Sequence, residues 1–86
     1  MNINQLIEIV KRKIVNKIIV KSISIEDKTF LHKKHKSFSE GKYHLKINII
    51  SAELNKKNKV EATKIIYKIL DQEIKKYIHS IQILIK

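Results

Sequence analysis

The chain has 86 residues and a formal net charge of +11, from 19 Lys and Arg against 8 Asp and Glu, and it contains no cysteine. This length supports a single domain, predicted to span residues 1–86, with one modest hydrophobic core. The lack of cysteine excludes disulfides, thiolate nucleophiles and an iron–sulfur site held by cysteines of this chain. No apolar run reaches the roughly 20 residues of a membrane span, so we expect a cytoplasmic protein without membrane contact.

The positive charge is almost entirely lysine, since Arg12 is the only arginine. A basic surface attracts nucleic acids and acidic proteins. Arginine, however, is the residue that reads bases and grips phosphate with two hydrogen bonds, whereas lysine acts as a point charge. A compositional drift towards Lys, Ile and Asn is the simpler explanation, and the charge alone identifies no partner.

Hydrophobic periodicity predicts an amphipathic helix followed by a strand. The apolar residues at helical spacing are Ile3, Leu6, Ile7, Val10 and Ile14. Asn2 or Asn4 is a candidate N-cap for this helix. Residues 18–25 are rich in β-branched side chains that partly alternate with serine, which predicts a strand that ends at Glu26 and Asp27.

A polar loop and a second strand come next. Residues 31–42 contain the only glycine, Gly41, among Lys, His and Ser, and are predicted to form a loop. The strand that follows has an apolar face of Tyr43, Leu45, Ile47 and Ile49 and a polar face of His44, Lys46 and Asn48. This alternation predicts an antiparallel pairing and a sheet with one face open to solvent.

Helices and a last strand complete the predicted fold. Ser51 is placed to cap a short helix through Leu54, and Asn58 with Glu61 resembles a capping box at the start of a longer helix. The inward side of that longer helix is predicted to consist of Ile66, Ile69, Leu70, Ile74 and Tyr77. Residues 78–85 alternate again and predict the final strand.

The order α-β-β-α-α-β predicts an α+β sandwich of two layers, in which a three-stranded mixed sheet carries its helices on one face. A right-handed crossover through the helices would make the second and third strands parallel neighbours, so that their first residues lie side by side. His79, at the start of the last strand, is therefore predicted to approach His44 and the loop residues His32 and His35.

Several segments, in order along the chain, carry a resemblance to the BolA family. Asp27, His32 and Gly41 match family positions around the loop. Residues 44–51, His-Leu-Lys-Ile-Asn-Ile-Ile-Ser, are similar to the family's His-Phe-x-Val-x-Val-Val-Ser strand, and residues 78–81, Ile-His-Ser-Ile, resemble its Ile/Val-His-Ala-Leu signature. The long helix is similar to that of the family at Tyr67, Leu70, Glu73 and Ile74. The resemblance implies a class II KH-like fold without a glycine loop.

The resemblance also implies a partner and a cargo. BolA proteins pair with monothiol, CGFS-type glutaredoxins and share a 2Fe-2S cluster, which is held by the glutaredoxin cysteine, glutathione and two BolA side chains. By position these side chains are His79 and His32, with His35 and His44 as alternatives for the second ligand. Two imidazoles do not retain a cluster alone, so we expect no cofactor in the isolated chain, which is expected to be a monomer or a weak homodimer.

A second hypothesis is a KH-like nucleic-acid-binding regulator of transcription, because the family has been linked to that role. Its contacts with DNA would be Lys56, Lys57, Lys59 and Lys64. Against it, the chain lacks a Gly-x-x-Gly clamp and has Ala62-Thr63-Lys64 where the family has Arg-His-Arg. No nucleophile, base and acid stand at a plausible spacing, so the chain is not expected to be an enzyme.

Each histidine also has a purely structural explanation. His79 could be a packed or hydrogen-bonded residue at a strand start, and His44 could cover the open face of the sheet. His32 and His35 could simply extend a basic loop. A zinc site is not expected, because two loop histidines fall short of the usual four ligands.

Overall fold

The computed structural model describes residues 2–29 and 42–86. In this part of the chain the elements are α1 (Ile3–Lys17), β1 (Ser22–Asp27), β2 (Tyr43–Ile50), α2 (Ala52–Asn55), α3 (Lys59–Ile69), α4 (Asp71–Lys76) and β3 (Ile78–Ile85). The strands lie in the order β1-β2-β3, with β1 antiparallel and β3 parallel to β2. The predicted α+β fold, with its parallel second and third strands, is confirmed.

Helix α1 begins at a complete capping box. The side chain of Asn2 accepts a hydrogen bond of 2.8 Å from the Gln5 backbone N–H, and the Gln5 side chain accepts one of 3.1 Å from Asn2. These bonds satisfy backbone donors that the first turn of a helix leaves without partners. At 15 residues α1 is the longest described helix, and no helix in residues 2–29 and 42–86 is long and apolar enough to cross a membrane.

The helices cover one face of the sheet and leave the other face polar. The buried core contains Leu6, Val10 and Ile14 from α1, Leu45, Ile47 and Ile49 from β2, and Ala62, Ile66 and Leu70 from the region of α3. The opposite face of β2 carries Lys46 and Asn48 in the alternate positions. Burial of this single apolar cluster between the helices and the sheet is the main favourable term in folding.

The first strand begins later than the sequence predicted. Residues 18–21 precede β1, whereas Glu26 and Asp27, predicted to end the strand, belong to it. Ile18 caps α1 by donating its N–H to the Ile14 carbonyl at 2.9 Å. β2 ends at Ile50, which pairs with Ser22. The residues before Lys21 therefore lie beyond the end of β2 and cannot pair with it. The strand boundary is set by the partner and not by β-propensity.

The predicted long helix is divided into α3 and α4 at Leu70. The backbone angles of Leu70 are φ −99° and ψ 16°, outside the helical region. Hydrogen bonds nevertheless run through the junction, from Leu70 N–H to the Ile66 carbonyl at 3.0 Å and from Ile74 N–H to the Leu70 carbonyl at 2.9 Å. Since the bonding and the apolar spacing both continue, hydrophobic periodicity gives no sign of this division.

Candidate functional site

The candidate site is a pair of histidine rings at the start of the two parallel strands. The ring centroids of His44 on β2 and His79 on β3 are 4.8 Å apart, and the rings meet edge to face at an interplanar angle of 61°. His44 is 3% exposed, whereas His79 is exposed to solvent. The predicted approach of His79 to His44 is confirmed, and it gives the site one buried and one accessible imidazole.

A β-bulge in β3 gives His79 its position. Tyr43 pairs with Ile78 and the next residue, His44, pairs with Ser80, so His79 is an extra residue between two successive pairs. Bulges of this kind redirect a side chain and are common near functional sites. Without the extra residue, inward-facing and outward-facing side chains would alternate regularly from Ile78 to the end of β3. With it, His79 and Ser80 are both exposed between inward-facing Ile78 and Ile81.

Ser80 fixes the orientation of the His44 ring. Its Oγ lies 2.6 Å from Nδ1 of His44 across the β2–β3 pair. If Nδ1 carries the proton and donates to Ser80, then the lone pair of the ring is on Nε2, which is buried in this structure. In metal-binding histidines, a hydrogen bond from the ring nitrogen that does not bind the metal commonly sets the tautomer and the direction of the ring. The sequence analysis did not identify Ser80 as part of the site.

The end of β1 holds the backbone of His44 in place. Asp27 accepts hydrogen bonds from the backbone N–H of Thr29, at 2.9 Å, and from the Thr29 hydroxyl. The same hydroxyl oxygen accepts a bond of 3.2 Å from the His44 N–H, and the Lys28 N–H donates to the His44 carbonyl at 2.7 Å. Asp27, which the sequence analysis matched to a family position, therefore orders the chain beside the histidine pair.

A surface cavity of about 410 Å³ lies alongside the histidines. It is lined by His44, Ser80 and Gln82 together with the lysines Lys28 and Lys46. The Lys28 ammonium is 3.5 Å from the Glu26 carboxylate. Glu26 in turn pairs with Lys46 across β1 and β2. The described residues that line the cavity include two lysines and no carboxylate, and the carboxylates of Glu26 and Asp27 lie next to it.

The two neighbouring imidazoles are candidate metal ligands. Imidazole nitrogens are common metal ligands, and the centroids of these two rings are 4.8 Å apart. Within residues 2–29 and 42–86 no group of three or more His, Asp or Glu side chains is placed to hold a metal. The described residues thus offer two ligands, and further ligands would have to come from elsewhere.

The remaining predicted site residues have different locations. His32 and His35, together with Gly41, lie outside the described residues. Lys56 and Lys57 are in the turn between α2 and α3, Lys59 is the first residue of α3 and Lys64 is one turn further along it. All four lysines are exposed, at the other end of β2 from the histidines, so the two predicted sites are separate surfaces.

Two features of the site carried a signal that sequence reasoning did not use. The spacing of Ile78 and Ile81, three residues apart where alternation requires two or four, indicates the bulge. The closeness of Lys28 and Lys46 follows from the register of β1 and β2. That register can be predicted once the residues at both ends of the connecting loop are known.

Comparison with known proteins identifies the fold and the family. The family model for BolA-like protein matches residues 14–86. The BolA domain of SufE1 from Arabidopsis thaliana is similar in structure, with a TM-score of 0.81 and 21% identity over 100% of this chain and 93% of that one. BolA1 from Arabidopsis thaliana has a TM-score of 0.78 and 22% identity over 93% and 88% of the two chains.

BolA1 from Mus musculus has a TM-score of 0.73 and 10% identity, and the match covers 92% of this chain and 62% of the mouse chain. The sequence gives no match among curated proteins. At such low identities the structural likeness establishes the fold, whereas the family model covers well over half of the residues. The chain therefore belongs to the BolA-like protein family.

Proposed function

We propose that this protein is a binding partner of a monothiol, CGFS-type glutaredoxin and receives or shares a 2Fe-2S cluster through histidine ligands. The observation that carries the proposal is the contact of His44 with His79, whose rings are 4.8 Å apart at the start of β2 and β3. Proteins in which two histidines bind one iron of a 2Fe-2S cluster are known, as in Rieske centres. We propose a role in binding, not in catalysis.

The exposure of the His79 ring supports a cluster that is shared between two proteins. His79 is exposed and can reach an atom presented by a partner, whereas His44 is buried beside it and oriented by Ser80. A cluster shared in this way meets the accessible ring first. The second protein ligand in this proposal is His32, with His35 and His44 as alternatives, and His44 is the candidate that lies within the described residues.

The charge of the neighbouring cavity also supports the proposal. A cluster with thiolate ligands and glutathione, which has two carboxylates, is anionic. Lys28 and Lys46 line the cavity next to His44 and complement that charge. Because the net charge of the whole chain is +11, attraction at long range also increases the rate of encounter with an anionic partner surface.

The test is to mix the protein with a cluster-loaded monothiol glutaredoxin and to record visible absorption and circular dichroism. We expect altered cluster spectra with the unmodified protein and no change with His79→Ala. Separate His44→Ala, His32→Ala and His35→Ala variants identify the second ligand, since only loss of a ligand should abolish the new spectrum. Asn48→Ala, on the same face of β2 and outside the histidine pair, is the matched control. Spectra that do not change with the unmodified protein would reject the proposal.

A further inference from the structure

A second surface, at the other end of the sheet, has the features of a binding groove. A cavity of about 590 Å³ lies between the C-terminal part of α1, helix α2 and helix α3. Its apolar lining consists of Ile18, Leu54, Ile65 and Ile69. Four lysines surround this lining, namely Lys13, Lys17, Lys57 and Lys68. We call this surface the lysine-rimmed groove, and its volume is within the usual range for ligand pockets.

The charge at the rim is not neutralised by the nearby carboxylates. Lys13 pairs with Glu73, but Lys17, Lys57 and Lys68 make no ion pair within residues 2–29 and 42–86. Glu53, the one acidic residue among those that line the groove, accepts a hydrogen bond of 2.9 Å from the Ile19 N–H. A ligand with negative charge on its flanks therefore meets three lysines around an apolar surface.

Exposed apolar side chains extend the groove. Ile19 is 82% exposed and Val15 is 50% exposed, and both lie in a smaller cavity that shares Lys17, Ile18 and Glu53 with the groove. The backbone of Ile19 is held in this position, because its N–H bonds to Glu53 and its carbonyl accepts a bond of 2.8 Å from the Ser51 hydroxyl. Neighbouring exposed apolar residues with a polar rim are typical of a protein interaction site.

The groove lies at the opposite end of β2 from the histidines. β2 has eight residues and runs from Tyr43, beside Ile78, to Ile50, beside the segment that contains Ile19. At about 3.3 Å for each residue the strand spans roughly 25 Å. The histidines and the lysine-rimmed groove are therefore separate surfaces at opposite ends of β2.

We propose that the lysine-rimmed groove binds a short acidic, amphipathic helix of a partner protein. The apolar stripe of such a helix would cover Ile65 and Ile69, which are partly exposed, while acidic residues on its flanks would face Lys17, Lys57 and Lys68. Nucleic acid fits less well, since its phosphates would face the lysines but the groove lining contains no aromatic ring on which a base can stack. This inference is independent of the cluster proposal.

The experiment uses the full chain and a fluorescein-labelled 14-residue peptide with leucine at helical spacing and glutamate on both flanks. Binding is followed by fluorescence anisotropy. We expect saturable binding of this peptide, and little binding of peptides in which serine replaces leucine or lysine replaces glutamate. Equal binding of the serine peptide would overturn the proposal, because it would show attraction by charge alone. Absence of saturable binding by the leucine and glutamate peptide would overturn it as well.

Paired variants of the protein test the location. Lys17→Glu with Lys68→Glu should weaken binding at least about tenfold, whereas Lys11→Glu with Lys76→Glu, which has the same net charge outside the groove, should change it less than about twofold. Lys17→Gln with Lys68→Gln gives a milder pair if the first does not fold. An equal effect of the groove pair and the outside pair would contradict the assignment. The assignment would also be contradicted if an oligothymidylate displaced the labelled peptide at concentrations where an unlabelled copy of the peptide does not.

Discussion

The hydroxyl of Ser80 on β3 lies 2.6 Å from Nδ1 of His44 on β2. The two strands are parallel, and the chain passes through three helices between them. This contact joins residues 36 positions apart in sequence. It makes Ser80 a positioning residue for the buried ring, whereas His79 contacts that ring from the bulge. The geometry of the site therefore depends on contacts between side chains of β2 and β3.

Replacement of Ser80 by alanine is expected to weaken cluster binding without loss of the fold. The hydroxyl sets the direction of the His44 ring, and loss of such an outer hydrogen bond commonly lowers metal affinity about 10–100-fold. Apparent affinity is measured by titration with cluster-loaded glutaredoxin and visible circular dichroism. Ser80→Thr, which keeps the hydroxyl, should restore most of the affinity. If alanine and threonine at this position behave alike, the hydrogen bond has no role in positioning.

The ion pair of Lys13 and Glu73 is expected to stabilise the fold. Lys13 Nζ lies 2.9 and 2.7 Å from the two carboxylate oxygens of Glu73, whose side chain is 8% exposed, against 36% for Lys13. Lys13→Met leaves a buried carboxylate without this cation and should lower the free energy of unfolding by about 2 kcal/mol, less than for a fully buried pair. The loss is measured by urea denaturation.

Two further variants separate the pair from general effects of charge. Lys13→Met combined with Glu73→Leu should recover most of the stability, because an apolar pair removes the uncompensated carboxylate. Lys75→Met disrupts the exposed pair with Asp71 and should cost less than about 0.5 kcal/mol. The explanation would be wrong if Lys13→Met were no more destabilising than Lys75→Met.

Ser51 is expected to be a second point of stability, because its buried hydroxyl joins two segments. It donates to the Ile19 carbonyl at 2.8 Å and accepts from the Leu54 N–H at 3.2 Å, as the N-cap of α2. Ser51→Ala removes both bonds and should lower the free energy of unfolding by about 1–2 kcal/mol. Ser22→Ala, at an exposed position of β1, is the control in the same denaturation experiment. Equal midpoints for the two variants would show that the hydroxyl contributes little.

Sequence reasoning predicted the fold well because most of its signals are local. Alternation gave the exact bounds of β3, and the spacing of Leu6, Val10 and Ile14 gave the buried side of α1. Crossover handedness then gave the parallel neighbours, and with them the approach of His79 to His44. These inferences need only the periods of helix and strand and one rule of chirality.

The features that were not predicted depend on contacts between distant segments. The start of β1 follows from where β2 ends, and the bond between Ser80 and His44 follows from a register that the bulge shifts by one residue. Leu70 divides the long helix without interrupting its hydrogen bonds, so no breaking residue marks the place. The prediction that His32 is a ligand lies outside the described residues and stays a prediction.

The bulge itself leads to a last prediction, because β3 would alternate regularly if His79 were absent. Deletion of His79 should leave Ile78 and Ile81 facing inward, with Ser80 between them and opposite His44 as before. The fold should therefore be kept, with a free energy of unfolding within about 1 kcal/mol of the unmodified protein, since a bulge is a local insertion into an otherwise regular ladder. Cluster uptake from glutaredoxin should be lost.

Deletion of Gln82 is the matched control, since it also shortens β3 by one residue. It shifts Ile83 and Ile85 to the open face and displaces Lys86, whose N–H and carbonyl bond to Ile49 and Ser51. A shift of one residue moves every following side chain to the other face, so this variant should be clearly less stable than the one without His79. Urea denaturation of both variants makes the comparison. If deletion of His79 were as damaging as deletion of Gln82, then His79 would be part of the regular strand, and its position beside His44 would not be the product of an inserted residue.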